Sequence, residues 1–375
     1  MNISVFLLLY PKESFLRSEK GQKAFRPLLK DTMRLSDFDF ILPPELIAQT
    51  PNKERDSSRM MILDRRTREI THSFFRELPS SLSNQDTLVL NNTSVIPARI
   101  WGKRAGATIE FLFLREIEKK TWEVLCRPAK KVRMGDEIIF SLDLKGQVTG
   151  EGTEGKRNLR FSSANVFEEL NNIGYAPLPP YIKRSQKQLE MKKIDLVRYQ
   201  TVFAQKRGSI AAPTAGLHFT KPLLQSIQSA GIRVTEITLE VGLATFQPIR
   251  ENIIENHMML NESYTISQQT ANIINRAKSE SQPIVAVGST SVRALESAGT
   301  KGQIQAGTHD TDLFIYPGYS FQIVDKLLTN FHLPKSTLLM MIAAFAGLDF
   351  VKEAYTKAVE KKYRFFSYGD CMLIL

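Results

Sequence analysis

Cysteine is scarce in this sequence, which has only Cys126 and Cys371 in 375 residues. Two cysteines cannot form a disulfide framework, and these two do not have the spacing of a metal-binding motif. No apolar run reaches the roughly 20 residues that cross a bilayer, and the short apolar run at 5–10 lacks the flanking features of a signal peptide. We therefore expect a protein of the reducing cytoplasm, with no membrane segment and no metal.

Acidic residues are fewer than basic ones, since 39 Asp and Glu against 50 Lys and Arg give a net charge of +11. A basic balance of this size favours a polyanionic partner through neutralisation of phosphates, although proteins that bind no nucleic acid also show it. The chain is longer than the roughly 250–300 residues at which single cores stop growing, so we expect two domains.

The hydrophobic pattern changes twice along the chain. Residues 1–32 show no period, and we expect either an extension with translation starting at Met33 or a basic arm that grips RNA. Between about 86 and 162, polar and apolar residues alternate in six short segments, which predicts a small antiparallel barrel. From about 164 onwards, helical segments alternate with strands. The predicted fold is an α/β main domain (33–90 and 175–375) with an inserted small antiparallel β-barrel domain (91–174).

Three local patterns give predictions of their own. Residues 183–198 contain six Lys or Arg and two Asp or Glu, and we expect a basic loop, either mobile or simply solvated. Residues 313–317 predict a strand.

The glycines at 150–155 match a dinucleotide-binding fingerprint literally, but that chemistry needs a helix after the loop. Because a strand follows here, we interpret 150–155 as a hairpin turn.

A first loop, 211–220, combines small residues with a histidine just before a predicted helix. Thr214 and Gly216 would let the backbone approach a ligand, and Thr220 caps the helix. Histidine is the side chain best suited to exchange a proton near pH 7, although a lone histidine is usually structural. We therefore expect His218 to act as an acid or base.

A second loop, 239–248, follows a predicted strand, and ligands of α/β sheets bind beyond the carboxyl ends of strands. Glu240 is either a base, a hydroxyl acceptor or a surface glutamate. We expect Gly242, Thr245 and Phe246 to line a ligand together with Phe219 of the first loop.

Two further loops place hydroxyl and amide groups ahead of helices. Thr290 and Ser291 follow a buried strand and would seat a carboxylate or phosphate, with Arg293 as a bidentate grip; the alternative is ordinary helix capping. Asn330 and His332 are polar residues in an apolar setting before another capped helix, and His332 is the second acid–base candidate.

Other side chains are candidates for contact with RNA. Basic residues of the predicted barrel would track a phosphate backbone. The aromatic segment 363–370 could stack bases beside its arginine, although such aromatics more often close a core. Two asparagines would form a polar joint between the domains. The residues assigned to RNA are Asn91, Asn92, Arg99, Lys130, Lys131, Tyr181 and Arg364.

Taken together, these blocks resemble the S-adenosylmethionine:tRNA ribosyltransferase-isomerases of queuosine biosynthesis. The resemblance runs from Met33 to the C-terminus and rests on the order of the segments 91–93, 95–99, 178–181, 199–202, 211–219, 245–248, 290–297, 314–318, 329–334 and 363–370. It implies that S-adenosylmethionine is a co-substrate whose ribosyl unit is transferred to 7-aminomethyl-7-deazaguanine at the wobble position of tRNA. Epoxyqueuosine forms, and adenine and methionine leave. It implies no metal, and we expect a monomer.

The sequence departs from the family pattern at four positions. Ser94 stands where Arg is usual, Glu240 where His is usual, Ala244 where Gly is usual, and Leu260 where a second His follows His257. These departures leave open a catalytically weak or inactive tRNA-binding homologue. A metal-free hydrolase or transferase that uses the same loops on a small molecule is a further alternative.

Overall fold

The computed structural model describes residues 32–375 apart from 163–164, 185–188, 243–248 and 250. It divides into two compact units. The barrel unit is Pro97–Pro177, and the main unit comprises residues 32–96 and Leu178–Leu375. The barrel unit therefore interrupts the sequence of the main unit. The predicted N-terminal extension lies outside the described residues except for its last position.

The elements are numbered along the chain. The main unit begins with β1 (Arg59–Leu63), β2 (Ile70–Phe74), β3 (Thr87–Asn91) and β4 (Thr93–Val95). The barrel unit contains β5 (Arg99–Arg104), β6 (Ala107–Glu118), β7 (Thr121–Arg127), β8 (Glu137–Ile139), β9 (Lys145–Glu151), β10 (Lys156–Phe161) and α1 (Val166–Ile173). The main unit continues with α2 (Leu189–Arg198), β11 (Lys206–Ser209), α3 (Lys221–Ser229), β12 (Arg233–Leu239), β13 (Glu262–Ile266), α4 (Gln268–Ser279), β14 (Ile284–Val287), α5 (Gly288–Ala298), β15 (Gly299–Thr300), β16 (Gln303–Ile304), β17 (Gly307–Thr311), β18 (Lys326–Asn330), α6 (Thr337–Ala346), α7 (Leu348–Glu360) and β19 (Cys371–Ile374).

A nine-stranded mixed sheet forms the centre of the main unit, in the order β17-β13-β12-β3-β14-β18-β19-β1-β2. Within it β12, β3, β14 and β18 are parallel neighbours. Every residue of β3 and β14 is buried, as expected for strands covered on both faces. Val89 packs into one hydrophobic cluster, whereas Leu88 and Leu90 pack into another. The sheet therefore separates two cores.

Helices cover both faces of this sheet. Buried residues of α4, α5, α6 and α7 belong to the cluster that contains Val89, and Leu223 and Ile227 of α3 belong to the other. Local residues set both ends of α3. The Thr220 side chain accepts a hydrogen bond from the Leu223 amide at 3.2 Å, and Gly231 after the helix has a φ of +83°. Within the described residues, no helix is both long enough and apolar enough to span a bilayer.

The barrel unit is a closed barrel in the order β10-β7-β6-β5-β8-β9, with antiparallel neighbours. Its interior is filled by aromatic side chains, among them Phe113 and Phe161, whose ring centroids are 5.5 Å apart. β9 and β10 pair antiparallel across the glycine-rich segment, so its interpretation as a hairpin turn is confirmed. The predicted fold class, an α/β main body with an antiparallel β-barrel, is also confirmed.

Two local predictions are wrong. Residues 183–198 do not form a loop throughout, because α2 begins at Leu189. Buried Asp195 on this helix accepts hydrogen bonds from the Arg184 guanidinium at 2.6 and 3.0 Å and from the Tyr368 hydroxyl at 3.0 Å, so tertiary partners stabilise a helix whose own pattern is weak. Residues 313–317 are not a strand, since the Leu313 carbonyl accepts from Arg293 instead of a neighbouring strand.

Candidate active site

Four parallel strands of the main sheet end side by side, and polar residues follow each of them. Glu240 follows β12, Asn91 ends β3, Gly288 follows β14 and Asn330 ends β18. Because neighbouring strands are about 4.8 Å apart, the ends of β12 and β18 are separated by roughly 14 Å. This edge is where ligands of α/β sheets bind.

The loop 211–219 lies against this edge. The Ile210 amide just before it donates to the Val241 carbonyl at 3.0 Å, and a Cβ placed on Gly288 would lie 3.7 Å from that of Ala215. The loop ends in a buried 3-10 turn, Thr214–His218. The sequence motif and the edge of the sheet therefore come together as expected.

Two residues of this loop serve packing. A Cβ on Gly216 would lie 2.8 Å from the Phe203 ring and 2.9 Å from a methyl carbon of Thr201, so a glycine is required here by the core. Phe219 is fully buried and packs edge-on against Phe75 at 4.9 Å. Both residues support the loop, and their direct contact with a ligand stays a prediction. Thr214 is half-buried and remains a candidate.

His218 is buried in a hydrogen-bond chain. Its Nε2 lies 3.2 Å from Asn330 Nδ2, and its Nδ1 lies 2.9 Å from the Ser58 hydroxyl. Asn330 Nδ2 also contacts the Phe366 carbonyl at 3.1 Å, which can only accept, so this nitrogen is the donor and His218 Nε2 accepts. The proton of the neutral imidazole therefore lies on Nδ1. Burial, with a smaller contribution from the charge of Arg55, lowers the pKa of His218 to about 4, so the ring is neutral near pH 7.

His332 has a different environment. Its Nε2 lies 2.9 Å from the Thr329 hydroxyl, and its amide donates to the Tyr355 hydroxyl at 3.0 Å. Burial lowers the pKa of His332 to about 3. These contacts hold the turn between β18 and α6.

Three buried polar atoms around this edge find no hydrogen-bond partner in the described part of the chain. They are the Thr201 hydroxyl, the Thr290 hydroxyl and the Asn330 amide oxygen. Their residues are 5%, 8% and 1% exposed. Leaving such a group unsatisfied costs about 1–3 kcal/mol, so three of them around one loop indicate a place for a polar ligand.

The start of α5 separates the roles of two neighbouring hydroxyls. Gly288 has a φ of +84°, which lets the strand turn directly into α5, so Thr290 and Ser291 lie within the helix and not ahead of it as expected. The Ser291 hydroxyl donates back to the Val287 carbonyl at 2.8 Å, which favours helix bonding, and its role as a donor to an anion stays a prediction. The Thr290 hydroxyl has no partner in the described part of the chain.

Arg293 is held by the protein itself. Its guanidinium pairs with buried Glu262 and donates to the carbonyls of Leu313 and Thr311 at 3.1 and 3.2 Å. The other Glu262 oxygen accepts from the Gly242 amide at 3.0 Å. This geometry favours a positioning role for Arg293 over a grip on a ligand carboxylate. Gly242 leads into 243–248, so the candidates Thr245 and Phe246, like the departure Ala244, lie outside the described residues.

Glu240 is exposed at the end of β12. Partial burial, and after it the charge of Asp310, raises the pKa of Glu240. A Cβ on Gly208 would lie 2.9 Å from its carboxyl carbon. Glu240 thus lies beside β11, about three strand spacings from Asn330.

Asn91 and Asn92 both bond residues of β12, which favours a structural role, and their assignment to RNA or to a joint between domains stays a prediction. Asn91 is fully buried, and its amide bonds the backbone of Leu239 at 3.0 and 3.1 Å. Asn92 accepts from the Thr238 hydroxyl at 2.6 Å and donates to Glu236 at 3.0 Å. Both tie β3 to β12 within the main unit.

The aromatic segment near the C-terminus mainly closes a core. Phe365 and Phe366 are buried. Tyr181 bonds the Ser367 hydroxyl at 2.6 Å, and burial raises the pKa of Tyr181 to about 12. The Arg364 guanidinium contacts Asn52 and the Thr50 carbonyl, so Arg364 holds the neighbouring loop.

The basic candidates of the barrel unit differ in their exposure. Arg99 pairs with Glu110 at 2.8 Å and lies over the Trp101 ring at 5.5 Å. Lys130 and Lys131 are exposed in a 3-10 turn. These two lysines are therefore accessible to a large polyanion, whereas Arg99 is partly neutralised.

No sequence motif marks several of the residues around His218. Ser58 and Arg55 come from a short 3-10 segment with no distinctive spacing, and Arg198 ends α2, where a loop was expected. Thr201 lies in the segment 199–202, which carries part of the family resemblance, and only its burial in the structure marks it as a site candidate. Among the described residues, no group of three or more His, Cys, Asp or Glu could hold a metal ion.

Comparison with known proteins identifies the family of this chain. Residues 35–374 match the family described as queuosine biosynthesis protein. The chain is 50% identical over 347 residues to the S-adenosylmethionine:tRNA ribosyltransferase-isomerase of Carboxydothermus hydrogenoformans, which covers 92% of this chain and 100% of that protein. It is 49% identical over 348 residues to the protein of that name from Caldanaerobacter subterraneus, with the same coverage. The crystal structure of an S-adenosylmethionine tRNA ribosyltransferase from Thermotoga maritima superposes with a TM-score of 0.52 at 38% identity, over 91% of this chain and 100% of that one. The chain belongs to the queuosine biosynthesis protein family.

Proposed function

We propose that this chain transfers and isomerises the ribosyl moiety of S-adenosylmethionine onto 7-aminomethyl-7-deazaguanine at the wobble position of tRNA, releasing adenine and methionine. The relatives that match nearly the whole chain carry the name of this activity. The proposal places the reaction in the cytoplasm, on a monomer, and both cysteines are free and buried as a reducing compartment allows.

The observation that carries the proposal is the set of unpartnered buried atoms beside the loop 211–219. Among the described residues none of these atoms has a partner: the hydroxyls of Thr201 and Thr290 can donate to a carboxylate or accept from a hydroxyl or ammonium group, and the amide oxygen of Asn330 can accept from a hydroxyl or ammonium group. A sulfonium nucleoside with an amino-acid tail presents all three kinds of group. The chain's own atoms therefore fit S-adenosylmethionine as the co-substrate.

Each element then has a distinct task in binding. The first turn of α5, with the Thr290 hydroxyl, would hold the carboxylate of the methionine end, because helix N-termini attract anions. Asn330 would accept a hydrogen bond with its unpartnered oxygen. Arg293 would act through Glu262, which fixes the Gly242 amide and so the start of the segment with Thr245 and Phe246.

The histidines limit the acid–base chemistry. S-adenosylmethionine supplies an acidified hydrogen and an adenine leaving group, so the protein must accept a proton and later give one back. His218 is neutral at pH 7, so it can accept a proton but has none to give, although its lowered pKa makes it a weaker base than an ordinary histidine. Glu240 is the second candidate, because its raised pKa makes it a stronger base. We assign His332 to positioning of the turn after β18.

The RNA would be held mainly through its phosphates. Lys130 and Lys131 are exposed on the barrel unit, and the whole chain carries a net charge of +11. Each phosphate neutralised by a lysine or arginine releases counterions, so binding should weaken steeply with salt.

Free adenine is the product to follow. The protein is incubated with S-adenosylmethionine and tRNA that carries the aminomethyl base, with tRNA carrying unmodified guanine as the control. Adenine release only with the modified tRNA supports the proposal. His218→Ala should abolish release, and His309→Ala, which alters an exposed histidine, should not. Full rates for both His218→Ala and His332→Ala would remove the histidines from the chemistry.

A catalytically inactive tRNA-binding homologue is the second candidate. It is favoured by one observation, that Glu240 stands where the family usually has histidine and is exposed. Binding of the modified tRNA by the wild-type protein without any adenine release would establish this alternative.

A further inference from the structure

A small pocket beside His218 contains two arginines that the reaction described above does not use. The pocket has a volume of about 20 Å³, and its lining includes Arg55, Ser58, Arg198, His218 and Tyr368. A space of this size holds roughly one water-sized group. It can therefore take the charged end of a ligand whose remainder lies elsewhere.

Among the described residues, the hydrogen bonds of the two guanidiniums all go to main-chain oxygens. Arg55 donates to the carbonyls of Val197, Leu217 and Arg198 at 2.8, 3.0 and 3.4 Å. Arg198 donates through Nη1 to the Lys53 carbonyl at 3.0 Å, while its buried Nε has no partner in the residues described. Neither arginine forms an ion pair within the described ranges. The internal residues outside those ranges include no Asp or Glu.

The acidic groups nearby are engaged elsewhere. Asp195 binds Arg184 and the Tyr368 hydroxyl, and Asp370 accepts from the backbone amides of Arg59 and Arg364. Burial lowers the pKa of Arg198, and among the described carboxylates exposed Glu54 is the one whose charge raises it.

The two neighbouring positive charges are unfavourable in this buried setting, as the pKa of Arg55 shows. Burial, and after it the charge of Arg198, lowers the pKa of Arg55 to about 10. The neutral imidazole of His218 provides no negative charge to balance it. Two close guanidiniums without a carboxylate are stabilised when an anion binds between them.

We propose that Arg55 and Arg198 form an oxyanion-binding site beside His218, which binds one phosphate group of the tRNA next to the target nucleotide. The proposal rests on the proposed function. The carboxylate of S-adenosylmethionine is the other source of such an oxyanion. We favour the phosphate because the Thr290 hydroxyl and the first turn of α5 already suit the carboxylate, and because Arg198 ends a helix whose outer side is exposed.

The test measures binding, so it does not depend on turnover. The Kd for tRNA is measured against salt concentration without S-adenosylmethionine, for the wild type, Arg198→Gln and Arg198→Lys. Arg276→Gln is the matched control, because Arg276 is exposed and pairs with Glu280 on the surface of α4. In parallel, the Kd is measured for S-adenosylmethionine and for its decarboxylated analogue.

We expect Arg198→Gln to weaken tRNA binding roughly 10-fold and to reduce the slope of log Kd against log salt by about 0.7–0.9, the value for one phosphate contact. Arg198→Lys should keep the slope but lose a few-fold in affinity, since a point charge replaces the fork. Arg276→Gln should match the wild type. These results would support the phosphate.

Other outcomes give equally definite answers. If tRNA binding is unchanged but Arg198→Gln removes the preference for S-adenosylmethionine over its decarboxylated analogue, the oxyanion is the carboxylate and the assignment to RNA is overturned. If the folded Arg198→Lys protein binds both ligands as the wild type does, there is no oxyanion site; this variant decides the matter even where Arg198→Gln does not fold. Normal binding by a wild type that releases no adenine would refute the proposed function and leave this site standing.

Discussion

The buried pair of Arg293 and Glu262 offers the sharpest test of how the site is built. Their side chains are 8% and 1% exposed, and Glu262 also fixes the Gly242 amide at 3.0 Å. If Arg293 positions the loop through Glu262, the two residues act as one unit. If Arg293 instead grips a ligand carboxylate, it contributes to binding and Glu262 does not.

The magnitude follows from the burial of both charges. Removing one partner leaves an uncompensated buried charge, which costs about 3–5 kcal/mol, whereas replacing both by apolar side chains is often neutral. We expect Arg293→Met and Glu262→Leu each to lower the midpoint of thermal unfolding by on the order of 10 °C. The double variant should be more stable than either single variant, with a coupling free energy of roughly 3 kcal/mol.

Urea unfolding followed by far-ultraviolet circular dichroism measures these free energies. Tryptophan fluorescence is unsuitable, because Trp101 and Trp122, the only two tryptophans, both lie in the barrel unit. The KM for S-adenosylmethionine is measured alongside, and it should rise in both single variants. Additive free energies, or an Arg293→Met protein with wild-type stability and a raised KM, would refute the positioning role.

Three further predictions concern single side chains near the loop 211–219. Thr290→Val, which removes a hydroxyl without a partner among the described residues, should leave stability unchanged or slightly raised and increase the KM for S-adenosylmethionine roughly 10–100-fold, as expected for one lost hydrogen bond to a charged carboxylate. Gly216→Ala should destabilise the protein by roughly 1–3 kcal/mol, because the new methyl meets the Phe203 ring. Because the folded pKa of His218 is about 4, below the ordinary value of 6.5, the unfolded chain binds the extra proton first. Titration of His218 should then cost the wild type on the order of 3 kcal/mol as the pH falls from about 6.5 to 4, in addition to the loss from His332, and His218→Gln should lack that part of the loss.

Each of these has a control in the same protein. Gly242→Ala should cost far less stability than Gly216→Ala, since a Cβ at Gly242 meets nothing within 4 Å; equal losses would contradict the packing argument. An unchanged KM in Thr290→Val would remove that hydroxyl from ligand binding. Parallel stability curves for His218→Gln and the wild type between pH 4 and 6.5 would show that the imidazole is not held neutral by the fold.

Local sequence was enough wherever neighbours along the chain set the structure. The two-residue period of the barrel strands follows from alternation of side chains across a strand, and the cap and terminal glycine of α3 act within a few residues. The hairpin at 150–155 was recognised because the residues after it alternate as a strand. The loops at 211–220, 287–293 and 329–337 were recognised from composition alone, and the sheet brings all three to one edge.

Partners distant in sequence could not be read from these patterns. The helix α2 depends on Asp195 meeting Arg184 and Tyr368, and the second of these is 173 residues away. Gly216 looked like a place for a ligand to approach, but the group that approaches it is Phe203.

The sequence by itself determined the barrel strands, the ends of helices such as α3 and the loops that carry polar groups, because periodicity and capping are local. Only the tertiary structure decided which of those polar groups are already satisfied. Arg293 and Asn91 bond partners 31 and 148 residues away, whereas Thr290 and Asn330 each keep an atom that finds no partner within the described ranges. A hydrogen bond is short-ranged in space but unrestricted along the chain, so the side chains left free for a ligand become visible only once the chain has folded.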